Sequence, residues 1–323
     1  MPGTAIVAIG RNEGERLQRC LKSAGPQADV VVYVDSGSTD NSVEFARSLG
    51  CEVVILDPSI PFTASRARNA GLERVSAMER DIEYVQFVDG DCEIRSDWIM
   101  LAVDFLNSHP EVAAVCGRRR ELYPTDTIYN QLCDWEWEIK PGPAKYCGGD
   151  VMMRVDALTQ VNGYRGSLIA GEEPELCVRL RAAGWRIYIL DAEMTLHDAA
   201  MTHFEQWWKR MKRSGYAYAA GAWLHGTSPE RHWVRQTARP WIWVCGPIAL
   251  LTAISSLVGP AGLGVLLIYP AQILRLALKN PGTIRDRFIA AVFNTLARFP
   301  EFSGQLQFLR DLVKGNSQII EYK

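Results

Sequence analysis

The sequence predicts an α/β fold, a mainly parallel sheet flanked by helices, joined to a C-terminal helical membrane-associating region. Three observations lead there. Short β-branched apolar runs alternate with helically spaced ones from Thr4 to Val88, turn-forming polar clusters close those runs, and residues 240–274 carry no charge. At 323 residues the chain holds one large or two ordinary domains, taking roughly 150 residues for each. The expected division is an α/β domain over 1–202 and a helical region over 203–323.

Thr4–Ile9 reads as a buried strand, being short, apolar and rich in β-branched residues. Glu13–Ser23 places Leu17, Cys20 and Leu21 at helical spacing. Val30–Val34 is a second strand, stopped by Asp35-Ser-Gly-Ser-Thr-Asp-Asn-Ser42, a run of turn formers and helix N-caps. A helix over Val43–Leu49, a strand over Val53–Leu56, a helix over Ala64–Met78 and a strand over Tyr84–Val88 follow. Strands and helices alternating through short links give a mainly parallel sheet covered on both faces. Ligands of such sheets sit beyond the carboxyl ends of the strands. Arg11-Asn12-Glu13, Asp35-Ser36 and Asp89-Gly-Asp91 stand there, so Arg11, Glu13, Asp35, Ser36, Asp89 and Asp91 are candidate site residues.

Composition narrows the class. The formal charge of −2 argues against a general nucleic-acid binder. It also hides an asymmetry: residues 1–202 carry 20 Lys and Arg against 31 Asp and Glu, whereas 203–239 carry 7 against 2 and 275–323 carry 8 against 4. The eight cysteines are scattered, with no C-x-x-C, as expected of inert thiols in a reducing compartment. The first apolar run, Ala5–Ile9, is too short for a signal peptide, so the first domain is expected in the cytosol. No P-loop and no G-x-G-x-x-G follows the first strand. Two carboxylates one residue apart at a strand end, Asp89 and Asp91, suit an oxygen-ligated divalent cation, and Mg²⁺ or Mn²⁺ fits carboxylate and phosphate oxygens better than zinc.

Four ordered motifs then resemble the family 2 glycosyltransferases, nucleotide-sugar enzymes of the GT-A fold. Val34-Asp-Ser-Gly-Ser-Thr-Asp-Asn-Ser42 looks like the nucleotide-binding turn. Ser65-Arg-Ala-Arg68-Asn-Ala-Gly71 looks like the helix carrying an arginine near the diphosphate. Asp89-Gly-Asp91 looks like the D-x-D metal motif. Gly171-Glu-Glu173-Pro-Glu-Leu-Cys-Val-Arg179-Leu resembles the E-D-x-D-L-x-x-R-L stretch, whose second acid is usually the base. The resemblance implies inverting transfer, a metal on Asp91 and Asp89, Arg68 near the diphosphate, and Glu173 as base with Glu172 as the runner-up. It also implies His197 as a late metal ligand, with His203 competing. Gly148-Gly149-Asp150 is expected to bring Asp150 close to the donor sugar, and Arg118-Arg-Arg120 either lines the acceptor or diphosphate path or forms a solvated strand end. His197 is expected after a strand over Arg186–Leu190 and a turn at Asp191–Glu193. Trp135 and Trp137 either stack on a sugar or fill the core, the core being preferred. The chain departs from the family in having Asp35-Ser36 where two acids are common, and Glu172-Glu173 where Glu-Asp is usual. The Q-x-x-R-W motif of processive synthases is absent, which favours transfer of a single sugar.

The second region points to a membrane. Phe204–Met211 mixes aromatics with cations at helical spacing, suited to an anionic leaflet or to packing on the catalytic domain. Trp241–Val258 gives 18 uncharged residues and Ala261–Leu274 gives 14, joined by Gly259-Pro260. Two short spans or a re-entrant hairpin over 241–274 both fit, the hairpin being preferred. Basic residues flank both ends (Arg231, Arg235, Arg239; Arg275, Lys279, Arg285, Arg287), which predicts a cytosolic side. The resulting expectation is transfer from a nucleotide-diphosphate sugar, UDP-linked in first place and GDP- or dTDP-linked otherwise. The acceptor is a lipid-linked saccharide at the cytoplasmic face of the bacterial inner membrane. The alternatives are a polyprenyl-phosphate hexose synthase, in which phosphate attacks without a base, and a non-catalytic membrane scaffold.

Overall fold

The structure is a computed structural model that describes residues 3–78 and 80–315. Lys323 of the terminal basic stretch therefore lies outside the described residues. The chain divides into two compact units, Met1–Thr202 and His203–Lys323.

The first unit opens with the alternation expected: β1 (Gly3–Gly10), α1 (Glu15–Ala24), β2 (Val30–Asp35), α2 (Ser42–Ser48), β3 (Glu52–Ile55), α3 (Ala64–Ser76) and β4 (Ile82–Asp89). It continues through β5 (Cys92–Ile94), α4 (Trp98–Ser108), β6 (Val112–Glu121), α5 (Ile128–Glu136), β7 (Gly142–Ala144), β8 (Val151–Arg154), α6 (Val155–Gln160), α7 (Glu172–Ala182) and β9 (Arg186–His197). The strands form one sheet in the order β3-β2-β1-β4-β8-β6-β9-β5, with β7 on β9. The first four strands are mutually parallel. Beyond β4 the sheet is mixed, because β8 runs antiparallel to both of its neighbours. Alternate residues of β1 feed two cores: Ile6 and Ala8 pack with Leu17 and Trp98 on one face, Ala5 and Val7 with Leu176 and Leu180 on the other. Fully burying one such aliphatic side chain contributes about 1.5–3 kcal/mol, so a strand buried on both faces anchors the unit. Gly71 explains how closely α3 sits on it, since a Cβ there would run into Val7 Cγ1.

One expected element is corrected. Asp191–Glu193 forms no turn; it lies within β9, which continues to His197. Against β6 the register jumps from Cys116–Ile189 to Arg118–Glu193, so the turn-forming residues are absorbed as a bulge. The bulge re-aims the end of the strand, and that end carries His197.

The second unit comprises α8 (Phe204–His225), α9 (Val234–Val258), a 3₁₀ segment (Gly259–Leu267), α10 (Ile268–Lys279), α11 (Ile284–Leu296) and α12 (Arg298–Lys314). Helices α8 and α12 meet backbone to backbone, for a Cβ on Gly215 would strike Glu301 O and one on Gly304 would strike Lys212 O. Val234–Lys279 is a helical stretch whose most apolar window has a mean hydropathy of 1.9, with only 6% of that window buried. Within it the 3₁₀ segment folds back, with Gly262 against Ser255. Pro247 lacks the N–H that would serve the carbonyl of Trp243 four residues earlier. The Tyr269 hydroxyl donates to that carbonyl instead, at 2.9 Å.

Candidate active site

The carboxyl ends of β1, β2 and β4 converge as their parallel pairing requires. Asp35 closes β2, and its turn fixes it in place: Oδ2 accepts the N–H groups of Gly37 and Ser38, both at 2.9 Å, and Oδ1 accepts the Tyr33 hydroxyl at 2.9 Å. Ser36 donates its N–H to Gly10 O at 3.0 Å, tying the ends of β1 and β2. Arg11 lies over the Phe62 ring, 5.6 Å from its centroid. Glu13 is ion-paired to Arg16 at 2.8 Å, with its Cγ beside Gly10 and Gly90; it supports the floor of the site through that packing.

A charge network spans the next strand ends. Arg68 is almost fully buried and bridges two carboxylates, Asp89 at 2.8 Å and Glu172 at 2.6 Å. Burial opposes its charge, but Asp89 and Glu172 outweigh that and raise its pKa above the ordinary value. Arg68 thus holds α3, β4 and α7 together. Asp150 is buried and saturated: it accepts the Asp89 N–H at 3.0 Å, the Thr195 hydroxyl at 2.8 Å and Arg119 at 2.8 Å. These bonds hold Asp150 against the backbone of Asp89. Of the three consecutive arginines, strand alternation turns Arg119 towards this network, while Arg118 pairs with Asp191 and Arg120 with Asp134.

Asp91 and His197 face one another, with Nε2 and Oδ2 3.4 Å apart and both residues buried. Two ligands of one octahedral ion at about 2.1 Å stand roughly 3 Å apart when adjacent, so the pair fits a shared cation. Burial lowers the His197 pKa below its ordinary value against the pull of Glu121, which favours the neutral ring a metal needs. Cys92 is the third group within reach, but burial pushes its thiol pKa well up, and a protonated thiol is a poor partner for a hard ion. Trp137, preferred in the core from sequence, is only half-buried. It stands edge-on to His197 with centroids 4.6 Å apart, and Arg119 lies 5.3 Å over its ring.

The two acids that begin α7 differ sharply. Glu172 carries the Arg68 ion pair. Glu173 is 1% exposed; its Oε1 accepts the Cys147 N–H and the Cys177 thiol, both at 2.9 Å. Its Oε2 is buried without a hydrogen-bond partner among the described residues. Burial pushes its pKa up to about 7, Glu172 adds to the rise, and the Cys177 and Cys147 hydrogen bonds and Arg68 resist it. Such a carboxylate is poised to take a proton near neutrality. The motifs did not single out Glu121, which contacts His197, because its role depends on a residue 76 positions away.

The chain is similar to known proteins in sequence and in fold. Residues 6–158 match the family described as glycosyl transferase family 2. The succinoglycan biosynthesis protein ExoA of Rhizobium meliloti is 26% identical over 206 residues, 58% of this chain and 60% of that protein. A TPR repeat-containing protein of Synechococcus elongatus is 28% identical over 133 residues, 41% of this chain and 31% of its own. The chain thus spans between about a third and three fifths of these curated relatives. Among solved structures, the mannosyltransferase PcManGT from Pyrobaculum calidifontis, in complex with GDP-Man and Mn²⁺, superposes with a TM-score of 0.65 at 20% identity, covering 96% of this chain and 88% of that one. TarS 1–349 of S. aureus with UDP-GlcNAc gives 0.52 at 16% identity, covering 99% and 95%. Residues 6–158 are thus similar to the glycosyl transferase family 2, and the chain shares the GT-A fold of these structures.

Proposed function

We propose that the chain is an inverting, divalent-metal-dependent glycosyltransferase. In this reading it moves one sugar from a nucleotide-diphosphate sugar to a lipid-linked saccharide at the cytoplasmic face of a bacterial inner membrane, in exopolysaccharide or other cell-surface polysaccharide assembly. The observation that carries the reading is the meeting, at one sheet edge, of the Asp91–His197 pair with the Glu172–Glu173 acids through Arg68 and Asp89. Asp91 and His197 would hold the ion, and a bound Mn²⁺ or Mg²⁺ supplies Lewis-acid neutralisation of the leaving diphosphate. Asp35 and Ser36 bound the nucleotide side of the cleft, with Arg11 at its rim. Arg68 keeps Asp89 and Glu172 in place and, with Arg119, sets a positive background for the phosphates. Glu173 takes the acceptor hydroxyl proton as that oxygen attacks the anomeric carbon and the bond to the diphosphate breaks. A base of this kind typically contributes about 10²–10⁴-fold in rate. Glu172 is the weaker candidate, because its lone pairs already face Arg68 at 2.6 Å.

A UDP-sugar donor is preferred, with GDP- and dTDP-sugars next; the two structural neighbours carry GDP-Man and UDP-GlcNAc. The membrane setting is supported by the exposed apolar stretch Val234–Lys279, and polysaccharide assembly by the name of the ExoA relative. The test is a donor screen on the full chain in detergent with a bacterial lipid extract, following nucleotide-diphosphate release with and without Mn²⁺. Lipid-dependent, EDTA-sensitive release that is lost in Asp91→Ala supports the reading. No release from any donor, together with no nucleotide-sugar binding by calorimetry, refutes it and favours a scaffold.

A further inference from the structure

Glu121 closes β6 directly opposite His197 in the parallel register of β6 and β9. Its carboxylate is fully buried and, among the described residues, is ion-paired to no lysine or arginine; the group it meets is the imidazole, with Nδ1 at 3.4 Å from Oε2. Burying a carboxylate costs several kcal/mol unless its oxygens are hydrogen-bonded. Here backbone and amide donors supply those bonds. The Ala199 N–H reaches Oε1 and Oε2 at 3.3 and 3.2 Å, the Tyr123 N–H reaches Oε1 at 3.4 Å, and the Asn130 amide reaches Oε1 at 3.5 Å. The carboxylate is therefore fixed before anything binds. Trp137, edge-on to the imidazole, limits ring rotation from another side.

We propose that Glu121 is a positioning residue for the metal site: it fixes His197 as the Nδ1–H tautomer, so that the Nε2 lone pair points to the cation position shared with Asp91. The chemistry is directional. Each ring nitrogen has a carboxylate oxygen 3.4 Å away, but the contact with hydrogen-bond geometry is that of Nδ1 with Glu121; a carboxylate accepts, so a neutral ring places its proton on Nδ1. Nε2 is then left as the lone-pair nitrogen, 3.4 Å from Asp91 Oδ2. A neutral amide at 121 could still accept the backbone N–H groups, but could also turn its NH₂ to Nδ1 and release the other tautomer. The inference rests on the metal-dependent reading above, and Glu121 acts through His197 without touching substrate.

The test uses full-length protein with ¹⁵N-labelled histidine, assigned by loss of the His197 signals in His197→Asn. In the metal-free wild type, long-range ¹H–¹⁵N spectra should show protonated Nδ1 and unprotonated Nε2. Glu121→Gln should bring in the Nε2–H form. Mn²⁺ affinity, read from the EPR signal of free Mn²⁺, should fall about 10- to 100-fold, as for other outer-shell partners of ligating histidines. An Nε2–H ring in the wild type overturns the proposal without any variant. A Glu121→Gln protein that melts lower but keeps the wild-type tautomer and Mn²⁺ affinity assigns Glu121 a structural role only, and also overturns it. Failure of the wild type to bind Mn²⁺ refutes instead the metal reading of Asp91 and His197, and the proposal falls with it.

Discussion

Replacing Glu173 by glutamine separates its charge from its shape. Its pKa of about 7, against 4.5 ordinarily, corresponds to roughly 3 kcal/mol at about 1.4 kcal/mol per pH unit. The sign follows from linkage. An acid whose folded pKa is raised favours folding when protonated, so its contribution is fully present below the unfolded value near 4.5 and is lost as pH rises through about 7. Wild type should therefore lose stability relative to Glu173→Gln between those two values, and the variant should be the more stable protein above pH 7 by up to about 3 kcal/mol. Activity moves the other way. A base works deprotonated, so the wild-type rate should climb with pH to a plateau above about 7 and stand near a tenth of it one unit below. Against that plateau the variant should be slower by about 10²–10⁴-fold, with the gap closing as pH falls below about 7. Thermal melts of both proteins across this range, alongside pH–rate profiles, provide the assay. A stability difference that does not change with pH would refute the titration of Glu173 in this window, and a glutamine variant with wild-type turnover would refute its role as base.

Three further outcomes are expected. Arg68→Ala leaves Asp89 and Glu172 facing each other without their shared cation, and should destabilise the first unit by about 3 kcal/mol in denaturant melts; Arg68→Lys should rescue little, since one ammonium cannot reproduce the planar two-carboxylate bridge. Gly71→Ala should cost about 1–3 kcal/mol by overpacking against Val7, despite alanine's better helix propensity, and Val7→Ala in the same chain should restore much of the loss. Ile248→Lys, on the exposed apolar helix, should weaken flotation with lipid vesicles, each such charge costing about 2.5–3.5 kcal/mol at mid-membrane, while nucleotide-sugar binding is unchanged; undiminished flotation would remove α9 from the membrane contact.

The sequence is most readable where structure is local. The strands up to Asp89 announce themselves as apolar runs ended by turn clusters, and parallel pairing then gathers Asp35 and Asp89 without further information. Legibility fails where long-range pairing decides. Val151–Arg154 is a four-residue run with no alternation, and its place between β4 and β6 becomes visible only through its antiparallel partners. Asp191–Glu193 has turn chemistry, yet the cross-strand bonds of β6 absorb it as a bulge. Trp137 looked like core because aromatic residues usually are, and its place beside His197 follows from where α5 ends. Glu172 and Glu173 were readable as a pair, but their division of labour was not. Their surroundings set them apart, with Arg68 engaging Glu172 while the Cys147 N–H holds Glu173 down.

The hydroxyl of Tyr269 on the Trp243 carbonyl has a consequence for how the apolar hairpin reaches its final form. In water that carbonyl is easily hydrated, and a contact between a phenol and a peptide oxygen gains little over the solvent it displaces. In hydrocarbon there is no substitute donor, so the same contact becomes the means of avoiding an orphaned acceptor, worth several kcal/mol. In the membrane setting proposed above, the contact would then fasten the two limbs to one another. Tyr269→Phe should accordingly slow or impair insertion far more than it affects the protein before it meets a bilayer.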